Sequence, residues 1–220
     1  MLKRRAVLAL GGAAFVGGGA YLLTRPMAGD QTFIGAVEAQ QAADVDTSGI
    51  IEMVQGAEDA PVTITEYASF TCPHCATFHA NQYPQLKEEF IDTGKVRFTY
   101  RDVYFDRPGL WAAMIARCDP NRFFGIAGML YERQGEWTQG DGPTIAENLK
   151  RIGIAAGLDA ERVEACLADG DTAQALVAWY QQNAAADNVQ ATPTLVVNGE
   201  TMSNMSYEDL KAVIEEELGS

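Results

Sequence analysis

The sequence predicts an α/β fold built from a βαβ unit and a ββα unit, with a helical domain inserted between the two halves. Three observations carry this prediction. The run from Pro61 to Phe70 is rich in β-branched and aromatic residues and leads into Cys72-Pro73-His74-Cys75, where apolar positions switch to helical spacing. From about Pro108 to Ala186, helical segments follow one another with no strand between them. Beta structure then resumes at Thr194, and Asn198-Gly199 is a strong two-residue hairpin signal.

The elements follow in order. Ile50 to Val54 reads as a first strand ended by Gly56, and 62–68 as a buried second strand. A helix starts at the cysteines, carries Cys75, Phe78, Leu86 and Phe90 on one face, kinks at Pro84 and ends at Asp92-Thr93-Gly94. Val96 to Tyr100 is the next strand, parallel to 62–68, because a strand–helix–strand unit crosses over in that sense. Helices are expected at Leu110–Cys118, Arg122–Arg133, Thr144–Ala156, Ala160–Ala168 and Thr172–Ala186, with Asp159 and Asp171 as N-caps. After the hairpin through Met202, Ser206 caps a last helix that runs to Leu218. The expected divisions are 1–29 for an export signal or anchor, 30–49 for a flexible lead-in, 50–106 for the first half, 107–187 for the insertion and 188–220 for the second half.

Two cysteines at i and i+3 of a helix's first turn lie close enough to bridge. Cys72 also stands at the positive end of the helix dipole, which favours negative charge on its sulfur. Pro73 costs nothing there, since its missing N–H has no helical partner at that position. His74 can add a hydrogen bond or, when protonated, a charge. Stabilising the Cys72 thiolate stabilises the reduced form and makes the disulfide form an oxidant. Cys75, one turn further in, is the expected resolving thiol. A zinc site would need four ligands, but there is no second Cys-x-x-Cys, and His74 and His79 are the only histidines. A purely structural bridge between such near neighbours closes too short a loop to stabilise much. No metal and no cofactor are expected; the chemistry belongs to the thiols.

Glu66 is the other unusual strand residue. With period 2 it shares a face with Val62 and Ile64 and points toward the core, where it could accept or relay the Cys75 proton. A strand-end glutamate reaching solvent is the equal alternative. His79 reads as a partly exposed helix residue and not as a catalytic one. Thr192-Pro193 precedes the late strand, a position where proline is tolerated on geometric grounds alone.

The chain of 220 residues carries a formal net charge of −14, and its first 25 residues hold cations and no acid. Such an acidic exterior repels phosphate backbones and anionic lipid, so nucleic acid is excluded as a partner. Lys3-Arg4-Arg5 followed by the uncharged stretch Ala6 to Leu23 is a targeting element, either a cleaved export signal or a retained anchor. Gly18-Gly19-Ala20 or the Ala28-Gly29 region could be the cleavage site, and Arg4-Arg5 weakly resembles a twin-arginine signal. Basic residues on the N-terminal side place the remainder across the membrane, in an oxidising compartment.

The segment Glu66 through Cys75, followed by Thr192-Pro193 and the Asn-Gly hairpin, resembles the DsbA family of secreted disulfide oxidoreductases over roughly residues 50 to 217. The resemblance implies a thioredoxin fold, with Cys72 attacking, Cys75 resolving and Pro193 in cis. A cis bond would leave the Thr192 backbone free to pair with an incoming peptide. The resemblance also implies Glu66 as the buried acid, unfolded exported proteins as substrates and a quinone-linked membrane partner of DsbB type, in the periplasm. The chain departs from the best-known members in carrying Thr192 where they have valine, which bears on substrate handling and redox poise.

Cys118 and Cys166 remain, 48 positions apart in the helical insertion. In an oxidising compartment an even leftover pair most simply forms a structural disulfide, worth about 4 kcal/mol in the chain-entropy model. A bacterial subgroup that the chain resembles carries such a second bridge. Met202 and Met205 either border an adaptable peptide groove or pack inward. A monomeric oxidase is expected. The rivals are an isomerase or reductase of the same architecture, disfavoured by the short lead-in, and a tethered chaperone with secondary redox activity.

Overall fold

The structure is a computed structural model and describes residues 45–219. The expected targeting element and residues 30–44 of the lead-in lie outside the described residues. Among the described residues no helix is long and apolar enough to cross a membrane.

Five strands form one mixed sheet: β1 (Met53–Gln55), β2 (Val62–Ala68), β3 (Val96–Asp102), β4 (Thr194–Val197) and β5 (Glu200–Ser203), in the spatial order β1-β3-β2-β4-β5. β2 and β3 are parallel, and every other pair is antiparallel. Thr63 of β2 is exposed and Thr65 half-buried, but from Glu66 to Ala68 the strand is buried on both faces, so its alternation there separates two cores. Val62, Ile64 and Ala68 belong to the main cluster, whereas Tyr67 joins Val103, Ala184 and Val196 in a smaller one on the other side. The first strand is three residues long, shorter than expected, and Gly56 follows it at φ +92. A Cβ on Gly56 would lie 2.2 Å from the Val96 carbonyl oxygen, so only glycine fits that crossing.

The helix after β2 is α1 (Pro73–Asn81), and it breaks at Gln82 before α2 (Tyr83–Leu86) and a π-helical turn, Lys87–Ile91. Pro84 lies in the first turn of α2, where its missing N–H is harmless, which turns the expected kink into a break. Gly94 at φ +75 donates to the Ile91 carbonyl and closes the segment. Six helices then separate β3 from β4: α3 (Arg107–Arg117), α4 (Phe123–Glu132), α5 (Gln134–Trp137), α6 (Gly142–Ala155), α7 (Ala160–Ala168) and α8 (Gly170–Ala186). Asp159 caps α7 as expected, but α8 is capped by Asp169, whose carboxylate accepts the Thr172 N–H, and not by Asp171. Helix α8 begins two residues earlier than its apolar pattern does.

The inserted helices have no separate core. Phe123, Ile126 and Leu130 of α4 and Ile115 of α3 are buried in the same cluster as Phe98 and Tyr100 of β3. The hairpin turns at Asn198 (φ 45) and Gly199 (φ 89), the two positive values that a tight primed turn requires. The last helix, α9 (Tyr207–Gly219), has Ser206 as its cap: the Ser206 hydroxyl accepts the Asp209 N–H at 3.2 Å. With helices between β2 and β3, between β3 and β4 and after β5, the architecture is the thioredoxin fold with inserted helices.

Candidate active site

Cys72 occupies the N-cap position of α1 in an extended conformation (φ −82, ψ 118), with Pro73 next to it in the first turn. Its thiol makes no capping hydrogen bond, and the residue stands at the positive pole of the helix. The Cys72 side of the turn reaches the surface: Cys72 is 7% exposed, and Pro73 and His74 are exposed. Cys75 is wholly buried, and both cysteines are free thiols. Two thiols of one helical turn thus differ sharply in access. Burial pushes the Cys75 thiol far above its ordinary range, and the negative charge of Glu66 pushes it further.

Glu66 is fully buried in the middle of the sheet, paired in register with Tyr100 and Leu195. Of the two readings of this residue, the inward one is observed. Its two carboxylate oxygens lie 3.1 and 2.9 Å from Nε2 of His79. The histidine side chain is only 6% exposed and is stacked on Tyr131, with ring centroids 4.1 Å apart. His79 as a residue is partly exposed on its helix, as expected, but its ring is turned inward onto Glu66. The signal was present in the sequence: His79 follows Cys75 by one helical turn and so shares its inward face, and a buried carboxylate needs a partner.

The Thr192–Pro193 bond is cis. The Cys72 thiol donates to the Thr192 carbonyl oxygen at 3.6 Å, so the residue 120 positions away lies against the reactive sulfur. The Thr192 hydroxyl is buried and has no oxygen or nitrogen partner among the described residues. It lies instead against the Cys75 thiol, where it favours the anion. Ladder pairing of β4 begins only at Thr194, which leaves the Thr192 backbone outside the sheet. Met202 and Met205 pack partly buried against the main core.

One contributor had no signal in the sequence. Gln134, the first residue of α5, donates from its side-chain amide to the carbonyls of Phe70 (2.8 Å) and Cys72 (3.0 Å). It pins the inserted helices to the start of the active-site helix. Cys118 and Cys166 are joined by a disulfide with Cα atoms 5.8 Å apart. Among the described residues no cluster of side chains could hold a metal ion.

Comparison with known proteins fits this geometry. The family model described as Thioredoxin matches residues 49–216. Disulfide bond formation protein D of Bacillus subtilis is 31% identical, over 75% of this chain and 76% of its own length. The chain is a DsbA-like member of the thioredoxin family. A crystal structure of Wolbachia pipientis alpha-DsbA1 superimposes with a TM-score of 0.70 at 25% identity, covering 76% of this chain and 91% of that one. A putative protein-disulfide oxidoreductase of Rickettsia bellii is also 31% identical over 76% of this chain, and the match spans 64% of that relative's length. Cys72-Pro73-His74-Cys75 stands at the start of α1, and the carbonyl of the cis Thr192–Pro193 bond lies against the Cys72 thiol.

Proposed function

We propose that this DsbA-like chain is a thiol–disulfide oxidoreductase that donates the Cys72–Cys75 disulfide to exported proteins. The supporting observation is the inequality of the two thiols: Cys72 at the accessible N-terminal pole of α1, Cys75 buried beneath it. A substrate thiolate attacks Cys72 Sγ, the Cys72–Cys75 bond breaks, and its electron pair goes to Cys75, which takes up a proton. Because burial and Glu66 oppose a lasting anion on Cys75, that proton must be at hand, and the Glu66 carboxyl is the donor. A second substrate thiolate attacks the substrate sulfur of the mixed disulfide and releases Cys72, whose negative charge faces the helix N-terminus. His74, exposed beside Cys72 in the first turn, can add a hydrogen bond to the leaving sulfur. The free Thr192 backbone offers a short strand-like edge on which an extended substrate segment can pair.

The protein then acts in the periplasm, carried there or held there by its N-terminal segment. A quinone-linked membrane partner of DsbB type returns the dithiol to the disulfide. Cys118–Cys166 serves as a structural staple, and residues 107–187 as a cover over the active-site helix.

The test is oxidation of a reduced, unfolded dithiol substrate by stoichiometric disulfide-form protein. Wild type and a Cys118→Ser/Cys166→Ser double variant should form the substrate disulfide, and Cys72→Ser should not. Retention of full folding assistance by Cys72→Ser would establish the chaperone reading instead.

A further inference from the structure

The hydrogen-bond partner of the buried acid borders a cavity that neither cysteine lines. Glu66 is enclosed on every side, yet it must gain and lose a proton in each redox cycle if it serves Cys75. Its one ionisable hydrogen-bond partner is His79, at 2.9 Å. The His79 ring in turn lines a cavity of about 750 Å³ between α1–α2 and α4. Neither cysteine lines that cavity, whose walls include Tyr83, Lys87, Phe124, Tyr131 and Glu132.

We propose that His79 is a positioning residue through which Glu66 exchanges its proton with water in this cavity. The inference rests on the reading of Glu66 as the proton donor and acceptor for Cys75. One contact serves both protonation states. An ionised carboxylate accepts from Nε2–H, and a protonated carboxyl donates to a bare Nε2. Nε2 is committed to Glu66, and the other ring nitrogen, Nδ1, has no hydrogen-bond partner among the described residues. The ring is held in place by stacking on Tyr131 and by Tyr83, at 4.8 Å between centroids.

The proton balance closes in both directions. When the disulfide is donated, Cys75 leaves with the electron pair of the broken S–S bond and takes the Glu66 proton. Nδ1 takes a proton from cavity water as Nε2–H passes to Glu66, which leaves the neutral Nδ1–H tautomer with Nε2 accepting from the Glu66 carboxyl. When the pair is reoxidised through a mixed disulfide on Cys72, Cys75 gives its proton to Glu66 and attacks Cys72 Sγ. The leaving thiolate departs, and the proton leaves through His79. The titratable groups that face the ring are Glu66 from β2, Tyr100 from β3, Tyr83 from α2 and Tyr131 from α4, with Lys87 and Glu132 at the cavity wall. The tyrosine hydroxyls among them stay neutral through the working range, because burial raises each of them.

The experiment follows closure of a Cys72–glutathione mixed disulfide by Cys75 in the purified full-length protein, with acid quench and mass spectrometry from pH 5 to pH 9. Four proteins are compared: wild type, Glu66→Gln, His79→Gln and His79→Ala. Glutamine keeps a hydrogen bond to Glu66 but cannot titrate. Closure in His79→Gln should be about ten-fold slower near neutral pH and should approach wild type as hydroxide takes over. His79→Ala should be slow as well, and free imidazole, which fits the enlarged cavity, should accelerate it in proportion to its concentration. Wild-type closure in His79→Gln overturns the proposal. So does a slow His79→Ala that imidazole does not rescue, since that marks a purely structural role. If Glu66→Gln itself closes at the wild-type rate, the underlying reading of Glu66 fails; if it is slow while His79→Gln is not, only the His79 route fails.

Discussion

The two cysteine pairs of this chain differ in bonding and in setting: Cys118 and Cys166 form a disulfide, and Cys72 and Cys75 are free thiols. Cys72 is at the N-terminal pole of a nine-residue helix, and Cys75 lies one turn inside it. Cys118 is the C-cap of α3, and Cys166 lies in the last turn of α7, so both sulfurs of the second pair sit at negative helix poles. A helix N-terminus stabilises a leaving thiolate and a C-terminus opposes one, by a few tenths to about 1 kcal/mol in each case. Loop length separates the pairs too. A bond across three positions restrains the unfolded chain hardly at all, whereas one across 48 restrains it strongly. Helix polarity and loop length thus favour exchange at the first pair and closure at the second, and the difference lies in where each helix begins and ends.

Opening each pair in turn is the strongest way to break the comparison. Cys72→Ser should abolish disulfide donation, while Cys118→Ser/Cys166→Ser should leave donation intact and lower unfolding free energy by about 4 kcal/mol, read from denaturant unfolding. Loss of donation in the double variant would erase the distinction. Gln134→Ala probes the link between the two regions. It leaves the Phe70 and Cys72 carbonyls without the amide from α5, and should cost about 1–3 kcal/mol of stability with a measurable rise in the alkylation rate of Cys72.

Acidity sharpens the contrast within the first pair. The folded Cys75 thiol is raised above its unfolded value, so its contribution to stability is complete below about pH 8.5 and is lost as pH rises beyond that. Between about pH 8.5 and pH 10, the dithiol protein should lose up to about 1.4 kcal/mol per pH unit more than Cys75→Ala does, by denaturant unfolding at each pH. Equal slopes would show that Cys75 is not held neutral. The smallest effect belongs to Thr192→Val. It removes the one hydroxyl that favours the Cys75 anion and should slow closure of a mixed disulfide about three-fold.

Much of this was legible in the sequence, for identifiable reasons. Cys72 and Cys75 declare themselves because two thiols flanking a proline at a strand–helix junction have few other uses. The order of elements followed from period and turn chemistry, and Asn198-Gly199 alone fixed the hairpin. Glu66 could be placed on an inward face by alternation, but whether it was enclosed depended on the helices that cover the sheet. His79 lay within reach of the same logic once Glu66 was taken as buried. Gln134 was beyond it: α5 is four residues long, and its partners are backbone carbonyls, which leave no side-chain pattern. The cap of α8 was misplaced because Asp169 and Asp171 both precede the apolar run, and only the backbone shows which one starts the helix.

The most direct test of the central claim is the reduction potential of the Cys72–Cys75 pair, measured by glutathione equilibration in the Cys118→Ser/Cys166→Ser protein. An oxidant that releases a stabilised thiolate should lie near about −120 mV, the value typical of DsbA. A value near about −270 mV, typical of thioredoxin, would contradict the account and mark the chain as a reductase.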